Sequence, residues 1–363
     1  MDRSGNDYLQ KSGAVIARLG SPPTSFGDAP AELRAALDRC VLVDRSHFSR
    51  IESSGPDLLG LLHRISTADL ASLPPGQGHP TVLTTPKGRI VERIVVHRVR
   101  SGNILLIGAP DSSTRIMTHL DRYTFSENTG LSDVTGQSRL FSLMGPQAVK
   151  ALSEVNLDPP ATFESVQAPF GEGSIEVLGH DALSATGYSL LVSPDNADVL
   201  WQRLADAVSR LSGRPAGEEA LEGYRLLRGI PASGTELNED YNPLEAGLRD
   251  AVSFDKGCYV GQEVIARLQN YDKITRSIVG IELESGVAPP QRGTRLFQNG
   301  REVGTLTSCT VPPGFTHAVG LAYVKHRFVE PDAELQIESP DGPELARLRG
   351  LPEEPATRNE SAP

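Results

Sequence analysis

Residues 256–263 read K-G-C-Y-V-G-Q-E, and this stretch, the KGC segment, is the most informative part of the 363-residue chain. Its two glycines allow tight turns or a close approach of the backbone to a ligand. Cys258 follows Lys256 by two residues and precedes Gln262–Leu268, which has a helical period. A positive helix end and an ammonium group both favour thiolate over thiol. The segment therefore predicts a reactive thiol. The alternative is a small buried cysteine next to a surface lysine.

The other two cysteines lack these features. Cys40 lies in an apolar run, and Cys309 follows a strand with no helix end or lysine nearby in sequence. Burial without a positive partner disfavours the thiolate, so a limiting thiol reagent is predicted to label Cys258 first. The variant Lys256→Met is predicted to slow that labelling without unfolding the protein. Three widely spaced cysteines exclude a full disulfide framework, and the eight histidines form no H-x-x-x-H pair, so no metal site is expected.

Outward from the KGC segment, the chain up to about residue 272 mixes helices with strands. Apolar residues at helical spacing predict helices over Asp57–Ile65, after Gly145-Pro146, over Ser193–Arg210 and over Glu218–Arg228, where Gly229 ends the helix. Runs of β-branched residues separated by short turns predict an antiparallel meander over Thr81–Thr85, Ile90–Val99 and Ile104–Ala109. Phe141–Met144 is predicted as a further strand. These predictions define an α+β body over residues 11–272.

The pattern changes after about residue 273 to short strands with Gly and Pro turns. The strand candidates are 277–283, 294–297, 303–307, 318–324 and 334–337. This spacing predicts a small all-β barrel or sandwich over about 273–345. The fold class is therefore α+β with an all-β C-terminal unit. Residues 1–10 and 351–363 are polar and are predicted to be disordered ends.

Composition narrows the classes of function. A net charge of −11 argues against a general nucleic-acid binder, which needs a basic surface. No apolar run approaches the ~20 residues that span a bilayer, and the first ten residues lack the apolar core of a secretion signal. These features predict a cytoplasmic protein with no membrane contact and no direct nucleic-acid partner. No glycine-rich phosphate loop is present.

Other polar groupings are weaker candidates. The run Asp44–His47 combines acid, base and hydroxyl, but consecutive residues of a strand alternate in direction, so a solvated strand end is favoured. Ser193, His180 and Asp181 lack a nucleophile-elbow motif. Arg93 and Arg98 on the predicted meander are interpreted as charges of a solvated face.

The KGC segment resembles the signature of the YgfZ family of folate-binding proteins, K-G-C-[FY]-x-G-Q-E. Similarity to that family extends over roughly residues 40–330, including N-P-L-E-A-G-L at 242–248 and Arg267. The stretch L-M-G-P-Q-A at 143–148 is similar to the L-x-G-P-x-A of aminomethyltransferases, and residues 55–59 and 65–69 also resemble that related family.

The resemblance implies a ring-like fold in which two α+β sub-domains, about 45–135 and 136–272, and the C-terminal β-barrel surround a central hole. A reduced folate, tetrahydrofolate or a derivative, is expected there. The implied role is accessory: assembly or repair of iron–sulfur clusters, with effects on iron–sulfur enzymes including those of tRNA modification. The implied partners are iron–sulfur client or assembly proteins. Cys258 and Lys256 are the expected catalytic residues. The expected folate-binding residues are Gly257, Tyr259, Gly261, Gln262, Glu263, Arg267 and Arg225.

One alternative is a tetrahydrofolate-dependent aminomethyl or methyl transferase, another is a scaffold that has lost folate binding, and whether the protein is an enzyme stays open. The related transferases carry an Asp-Asp pair whose second member is catalytic. Here Glu92-Arg93 follows Gly88-Arg89-Ile90-Val91, and Arg93 aligns with the catalytic Asp. A guanidinium cannot act as a base or stabilise a developing cation, which argues against glycine-cleavage transfer. Glu92 and Asp69 are the remaining carboxylate candidates.

A second departure concerns folate affinity. Relatives often read R-[IL]-E-A-G, and their Glu can bond the amide and amine edge of a pterin. Here residues 225–229 read R-L-L-R-G, which places Leu227 in the Glu position. Losing a charge-assisted hydrogen bond of this kind costs ~1.5–3 kcal/mol, so a weaker folate site is predicted.

Overall fold

A computed structural model describes residues 7–18, 20–100, 102–180, 187–270, 274–330, 332–338 and 343–351. The helices are α1 Asp7–Lys11, α2 Ala29–Asp38, α3 Leu58–Ile65, α4 Ser113–Arg122, α5 Ala148–Glu154, α6 Pro194–Arg210, α7 Glu218–Arg228 and α8 Gln262–Asn270. The strands before residue 273 are β1 Val41–Asp44, β2 Phe48–Ser53, β3 Gln77–Thr84, β4 Ile90–Arg98, β5 Ile104–Pro110, β6 Leu131–Asp133, β7 Arg139–Met144, β8 Ser165–Phe170, β9 Gly173–Leu178, β10 Tyr188–Val192 and β11 Arg214–Pro215. The later strands are β12 Arg276–Leu283, β13 Arg295–Gln298, β14 Arg301–Thr310, β15 Val319–Lys325, β16 Glu334–Ile337 and β17 Glu344–Arg349.

The predicted meander is confirmed and lies in a five-stranded sheet of order β3-β4-β5-β2-β6. Antiparallel pairing joins β3 to β4 and β4 to β5, as the short turns between β-branched runs predict. Helices α3 and α4 cover one face of this sheet, where Leu61, Leu62, Ile116 and Leu120 form a buried cluster with residues of β4 and β5. The predicted helix over Asp57–Ile65 is confirmed as α3, with Asp57 at its N-cap.

A second sheet has six strands in the order β11-β1-β7-β10-β9-β8. Helix α6 packs on it through a cluster centred on Trp201, and α2 and α7 contribute to a separate cluster with β1. The helices predicted over 193–210 and 218–228 are confirmed as α6 and α7. Gly229 ends α7 in the left-handed conformation at φ 72°, which a glycine adopts without steric cost.

The first strand of the chain belongs to the six-stranded sheet, where β1 pairs with β7 and β11. The next strand, β2, belongs to the five-stranded sheet and pairs with β5. The N-terminal residues also differ from the expectation of disorder, because residues 7–10 belong to α1. Tyr8 and Leu9 are buried there, and the Tyr8 hydroxyl donates to Asp44 at 2.9 Å. Residues 1–6 and 352–363 of the predicted ends lie outside the described residues.

The C-terminal strands form a closed barrel of order β12-β15-β14-β13-β16-β17. This settles the barrel-or-sandwich alternative in favour of the barrel. Its interior holds alternate residues of each strand, including Ile281, Leu306, Val324 and Leu335. Alternation of buried and exposed positions along short strands is the pattern that closure requires.

A buried ion pair joins α7 to this barrel. Arg225 is 6% exposed and uses all five of its N–H groups: two bond Glu222, and the others reach Glu236, Ser308 and the carbonyl of Ile230. Burial alone would raise the pKa of Glu236, but the charge of Arg225 and hydrogen bonds from Ser308 outweigh it and hold that pKa below its ordinary value. Arg225 therefore fastens α7 to β14.

Replacing Arg225 with methionine is expected to lower the free energy of unfolding by ~3–5 kcal/mol, because Glu236 would stay buried without its cation. In the wild type the pKa of Glu236 lies below the unfolded value of about 4.3, so its contribution is complete at neutral pH and is lost as pH falls. In the variant, burial raises that pKa, so the deficit relative to wild type should shrink as pH falls from about 7 to about 4.5.

Urea unfolding at the two pH values measures both effects. Arg228→Met, at an exposed position of the same helix, is the matched control and should change the unfolding free energy by less than ~0.5 kcal/mol. An Arg225→Met deficit that is equal at both pH values would contradict the assignment to Glu236.

Candidate functional site

Lys256 lies at the C-terminal end of α3. Its Nζ is 2.6 Å from each of the carbonyl oxygens of His63, Ser66 and Ala68, and it sits 4.6 Å from the ring centre of Tyr259. An ammonium has three N–H donors, so all are engaged by the backbone. The helix end also carries the negative end of the α3 dipole. Lys256 therefore anchors the KGC segment to the five-stranded unit.

The anchor is buried. Lys256 is 8% exposed, and burial lowers its pKa to about 8, while the charge of Asp69 opposes that shift. Asp69 is half exposed and pairs with Nδ1 of His63 at 3.1 Å. Asp69, one of the two carboxylates considered from sequence, thus lies near Lys256 and pairs with His63.

Two glycines meet at the other end of the KGC segment. Gly261 has φ 85°, and a Cβ there would lie 2.7 Å from the Thr85 carbonyl oxygen and 2.9 Å from Cα of Gly88. The turn between β3 and β4 and the start of α8 therefore cross at backbone distance. Thr84 adds a hydrogen bond to the Val260 carbonyl at 2.7 Å. Gly257 differs, because nothing lies within 4 Å of the position of its Cβ.

Cys258 is exposed between these two fixed points. Cys40 is buried and Cys309 is partly buried, and burial raises the pKa of their thiols to about 11 and about 12. The α8 helix begins at Gln262, close to the position predicted from its period. The segment therefore presents its thiol on a short exposed stretch whose flanks are held by backbone contacts.

The other predicted folate residues of this region are distributed over different surroundings. Tyr259 is buried, and burial raises its pKa to about 12. Gln262 is half-buried. Glu263 and Arg267 are exposed and pair with each other at 2.8 Å along one face of α8. The pair has the i, i+4 spacing typical of a solvated helix face. Arg225 is at the α7–barrel junction and has its donors engaged there.

The second part of the candidate site is the inner face of the five-stranded sheet, the face opposite α3 and α4. Ile94 and Val96 of β4 belong to the cluster under those helices. Side chains alternate along a strand, so Arg93, Val95 and His97 point to the inner face. Val82 is the cross-strand partner of Arg93. Neither Arg93 nor Arg98 is exposed, so the prediction of a solvated face was wrong.

Leu227 borders the same region. It packs against a cluster that contains Val82, Leu226, Tyr241 and Tyr323. The rings of Tyr241 and Tyr323 stack with centroids 3.4 Å apart. The cluster draws on the five-stranded unit, on α7 and on the barrel. Positions 93 and 227, at which this sequence differs from related proteins, therefore both border the apolar cluster where the three units meet.

Glu92 lies on the other side of the sheet. It is paired in register with Leu83, contacts Arg115 of α4 and accepts a hydrogen bond from Ser233 at 3.0 Å. Burial raises the pKa of Glu92, although Arg115 and Ser233 oppose the shift. Leu83 belongs to the cluster under α3 and α4, so Glu92 does not share the inner face with Arg93.

Two histidines that sequence reasoning did not pair meet on the inner face. His97 Nε2 is 3.2 Å from His180 Nδ1, and the two rings stack with centroids 4.8 Å apart. Burial lowers the pKa of His97 to about 3. Burial, then His97 and Arg93, lower the pKa of His180 well below its ordinary value. Both imidazoles are therefore neutral. They are 83 residues apart, so no local motif could have joined them.

Within the described ranges, no group of three or more His, Cys, Asp or Glu side chains could hold a metal ion. Among the same residues, no helix is long and apolar enough to cross a membrane.

Family models match almost the whole chain. The GCVT N-terminal domain matches residues 6–256, and the glycine cleavage T-protein C-terminal barrel domain matches residues 276–352. A protein of Arabidopsis thaliana named "Putative transferase, chloroplastic" is 34% identical, over 90% of this chain and 74% of that protein. The aminomethyltransferase of Halothermothrix orenii is 28% identical, over 87% of this chain and 89% of that enzyme.

The fold is also that of a solved structure. The crystal structure of the glycine cleavage system aminomethyltransferase T from Bartonella henselae matches with a TM-score of 0.81 at 21% identity, covering 95% of this chain and 96% of that one. This likeness shows a common aminomethyltransferase-like fold, with α+β sub-domains and a C-terminal barrel.

Gly261→Ala is expected to destabilise the protein by ~1–3 kcal/mol, because a Cβ would be forced into the left-handed region against Thr85 and Gly88. Gly257→Ala is the matched control and should change the stability by less than ~0.5 kcal/mol, since its Cβ would meet open space. Thermal and urea unfolding measure both variants. Equal stability of the two would show that the glycine crossing is not required.

Limiting iodoacetamide at neutral pH is expected to label Cys258 before Cys40 and Cys309, because only Cys258 is exposed and burial raises the pKa of the other two thiols. Peptide mapping of the partly labelled protein measures the order. Preferential labelling of Cys309 would overturn it.

Lys256→Met is still expected to slow the labelling of Cys258, now because the segment loses its anchor. The expectation that the variant keeps its stability changes, because three buried carbonyl oxygens would lose their donor, at about 1–3 kcal/mol for each acceptor left unpaired. The labelling rate is therefore compared at a temperature where circular dichroism shows both proteins folded. An unchanged labelling rate at that temperature would show that the contacts of Lys256 do not affect the reactivity of the Cys258 thiol.

Proposed function

This chain belongs to the glycine cleavage T-protein family, and we propose that within it the protein is a folate-binding accessory factor of iron–sulfur cluster assembly or repair, with Cys258 as its working group. Effects on tRNA modification would then arise through iron–sulfur enzymes, without direct contact with RNA. The proposed compartment is the cytoplasm, and the proposed partners are iron–sulfur client or assembly proteins.

The observation that carries this proposal is the exposed thiol of Cys258 between two fixed points. Lys256 on one side is held by three carbonyls of the α3 end, and Gly261 on the other side crosses Gly88 at backbone distance. A thiol presented in this way can meet a partner surface at little cost in conformational entropy. Thiolate is a soft ligand suited to iron–sulfur clusters, or it can carry a sulfur species.

Cluster chemistry would require a second protein. A [4Fe–4S] cluster usually takes four thiolates, and this chain offers one exposed cysteine. The remaining ligands must come from a partner protein or from a second copy of this chain. The protein therefore acts on clusters held mainly by its partner, which fits an accessory role.

Support for folate binding comes from the family, whose models match residues 6–256 and 276–352. At the junction beside the inner face, Val82 and the tyrosine pair are buried against one another and present no open surface to a ring in this structure. Leu227 cannot accept from the amide and amine edge of a pterin. The proposed folate binding is therefore weaker by ~1.5–3 kcal/mol than in relatives with a Glu at that position. When bound, the folate would supply or accept a one-carbon unit.

The second candidate function is one-carbon transfer to or from tetrahydrofolate. The transferase names of the relatives favour it. The inner face argues against the glycine-cleavage version, because Arg93 is the residue aligned with the catalytic carboxylate and Glu92 faces α4. A transferase of this sequence would need a donor whose transfer does not depend on a carboxylate at position 93.

The test is complementation of a strain that lacks its own counterpart. Wild type should restore the activity of a [4Fe–4S] dehydratase and the level of an iron–sulfur-dependent tRNA modification. Cys258→Ser should restore neither, because a hydroxyl cannot replace a thiolate as a soft ligand. Cys309→Ser, at the partly buried barrel cysteine, is the matched control and should behave as wild type.

Full restoration by Cys258→Ser would show that the thiol role is wrong. In parallel, the purified protein is incubated with tetrahydrofolate and a panel of methylamine and methylthio donors. Catalytic formation of methylene- or methyl-tetrahydrofolate would favour the transferase over the accessory role.

A further inference from the structure

The second fixed point of the KGC segment is only as firm as the turn that it crosses. Gly261 lies against the turn between β3 and β4, and a Cβ on Gly88 of that turn would lie 3.3 Å from the Gly261 carbonyl oxygen. Pro86 and Lys87 at the tip of the turn are exposed. Exposed turns open locally at a small cost in free energy unless other contacts hold them. The position of this turn therefore depends on contacts at its base.

Arg89 supplies those contacts. Its Nη1 donates to the Asp240 carbonyl at 2.9 Å and pairs with Oε2 of Glu245 at 3.4 Å. Its backbone closes the turn, because the N–H of Arg89 bonds the Thr85 hydroxyl and its carbonyl accepts from the N–H of Thr85. Arg89 therefore joins the turn to the segment that contains N-P-L-E-A-G-L at 242–248.

Glu245 is the buried partner of this arginine. It is 3% exposed, and its two oxygens face different units of the molecule. Oε2 accepts from Arg89 and from the N–H of Asn242. Oε1 accepts from the Thr275 hydroxyl at 3.0 Å and from Arg276, at the start of β12, at 3.3 Å. A buried carboxylate is tolerated only when cations and hydrogen bonds satisfy it, so Glu245 holds the turn on one side and the barrel on the other.

We propose that Arg89 and Glu245 are positioning residues for the Cys258 thiol. Their ion pair holds the turn between β3 and β4 against Gly261, so that the exposed stretch before α8 stays fixed at both ends. The two residues act through the turn and take no part in chemistry at the sulfur. This inference rests on the proposed role of Cys258 as the working group, and it gives the stretch at 242–248 a function.

Hydrogen exchange followed by mass spectrometry measures local opening of the chain and tests the proposal without a partner or ligand. In Arg89→Met, peptides covering 84–90 and 257–266 are expected to exchange at least ~10-fold faster than in wild type, because the turn loses its tie to Glu245 and the crossing at Gly261 loosens.

Arg276→Met is the matched control. It removes the other arginine of the same carboxylate, at nearly the same distance and with nearly the same exposure. It should accelerate exchange at 276–280 and leave 257–266 within about twofold of wild type, because the tie between Arg89 and Glu245 stays in place. Circular dichroism confirms that each variant is folded. Arg89→Gln, which removes the charge and keeps an N–H donor, replaces Arg89→Met if the latter does not fold, with the same expected result.

The functional readout is the complementation strain used to test the proposed function. Arg89→Met should restore less than about half of the dehydratase activity that wild type restores, because a site loses efficiency when its supporting contacts loosen. Arg276→Met should restore it fully. Arg89→Lys, which keeps a cation beside Glu245, should restore more than Arg89→Met.

Exchange at 257–266 that stays at the wild-type rate in Arg89→Met would overturn the proposal, as would equal acceleration there in Arg276→Met. Full restoration by Arg89→Met, in a strain that Cys258→Ser fails to restore, would also overturn it, because the thiol would then work without this positioning. Full restoration by Cys258→Ser would instead remove the proposed function of the thiol, and the exchange rates would still decide whether the ion pair positions the segment.

Discussion

The buried ammonium of Lys256 is the interaction on which the arrangement of the candidate site depends. A charge taken out of water is tolerated only when its hydrogen bonds are satisfied, and here three backbone carbonyls at the end of α3 satisfy them. The N–H of Val260 bonds the Arg64 carbonyl, and the N–H of Ser253 bonds the Thr67 carbonyl, so the same helix end holds the chain on both sides of Lys256. Lys256 therefore fixes the start of the KGC segment against α3, and this contact determines where Cys258 is exposed.

Much of the fold could be predicted from local pattern. The helices α3, α6 and α7, the meander and the β-strand-rich C-terminal unit follow from spacing, caps and turns, which act over a few residues. The closure of the barrel depends on pairing between distant strands, so sequence left barrel and sandwich open. The N-terminal helix α1 was not predicted because its stability comes from tertiary packing, in which Tyr8 contacts Asp44 and Trp201, both distant in sequence.

The candidate site was only partly accessible to sequence. The KGC segment could be singled out from sequence, yet the structural role of its lysine depends on carbonyls about 190 residues away along the chain. Arg225 resembled a ligand-binding residue, but its donors are engaged at the barrel junction, which only the tertiary structure shows. Strand parity could have separated Glu92 from Arg93, because neighbours in a strand face opposite ways. The bulge between Leu83 and Thr84 obscures that parity at the strand end.

The histidine pair gives the molecule an uneven response to acid. His97 and His180 close the seam between the five-stranded and six-stranded units, with Gly78 directly beneath the His97 ring. Each is neutral when folded and basic when released, so the unfolded chain binds more protons below the ordinary histidine pKa of about 6.5. Low pH therefore destabilises the contact between these two units, because protonation of either histidine is favoured only when the pair is exposed. The barrel is fastened by Arg225 and Glu236, whose pairing persists until the carboxyl itself titrates below its ordinary pKa. Acidification therefore weakens the contact between the two α+β units at a higher pH than it weakens the junction of α7 with the barrel.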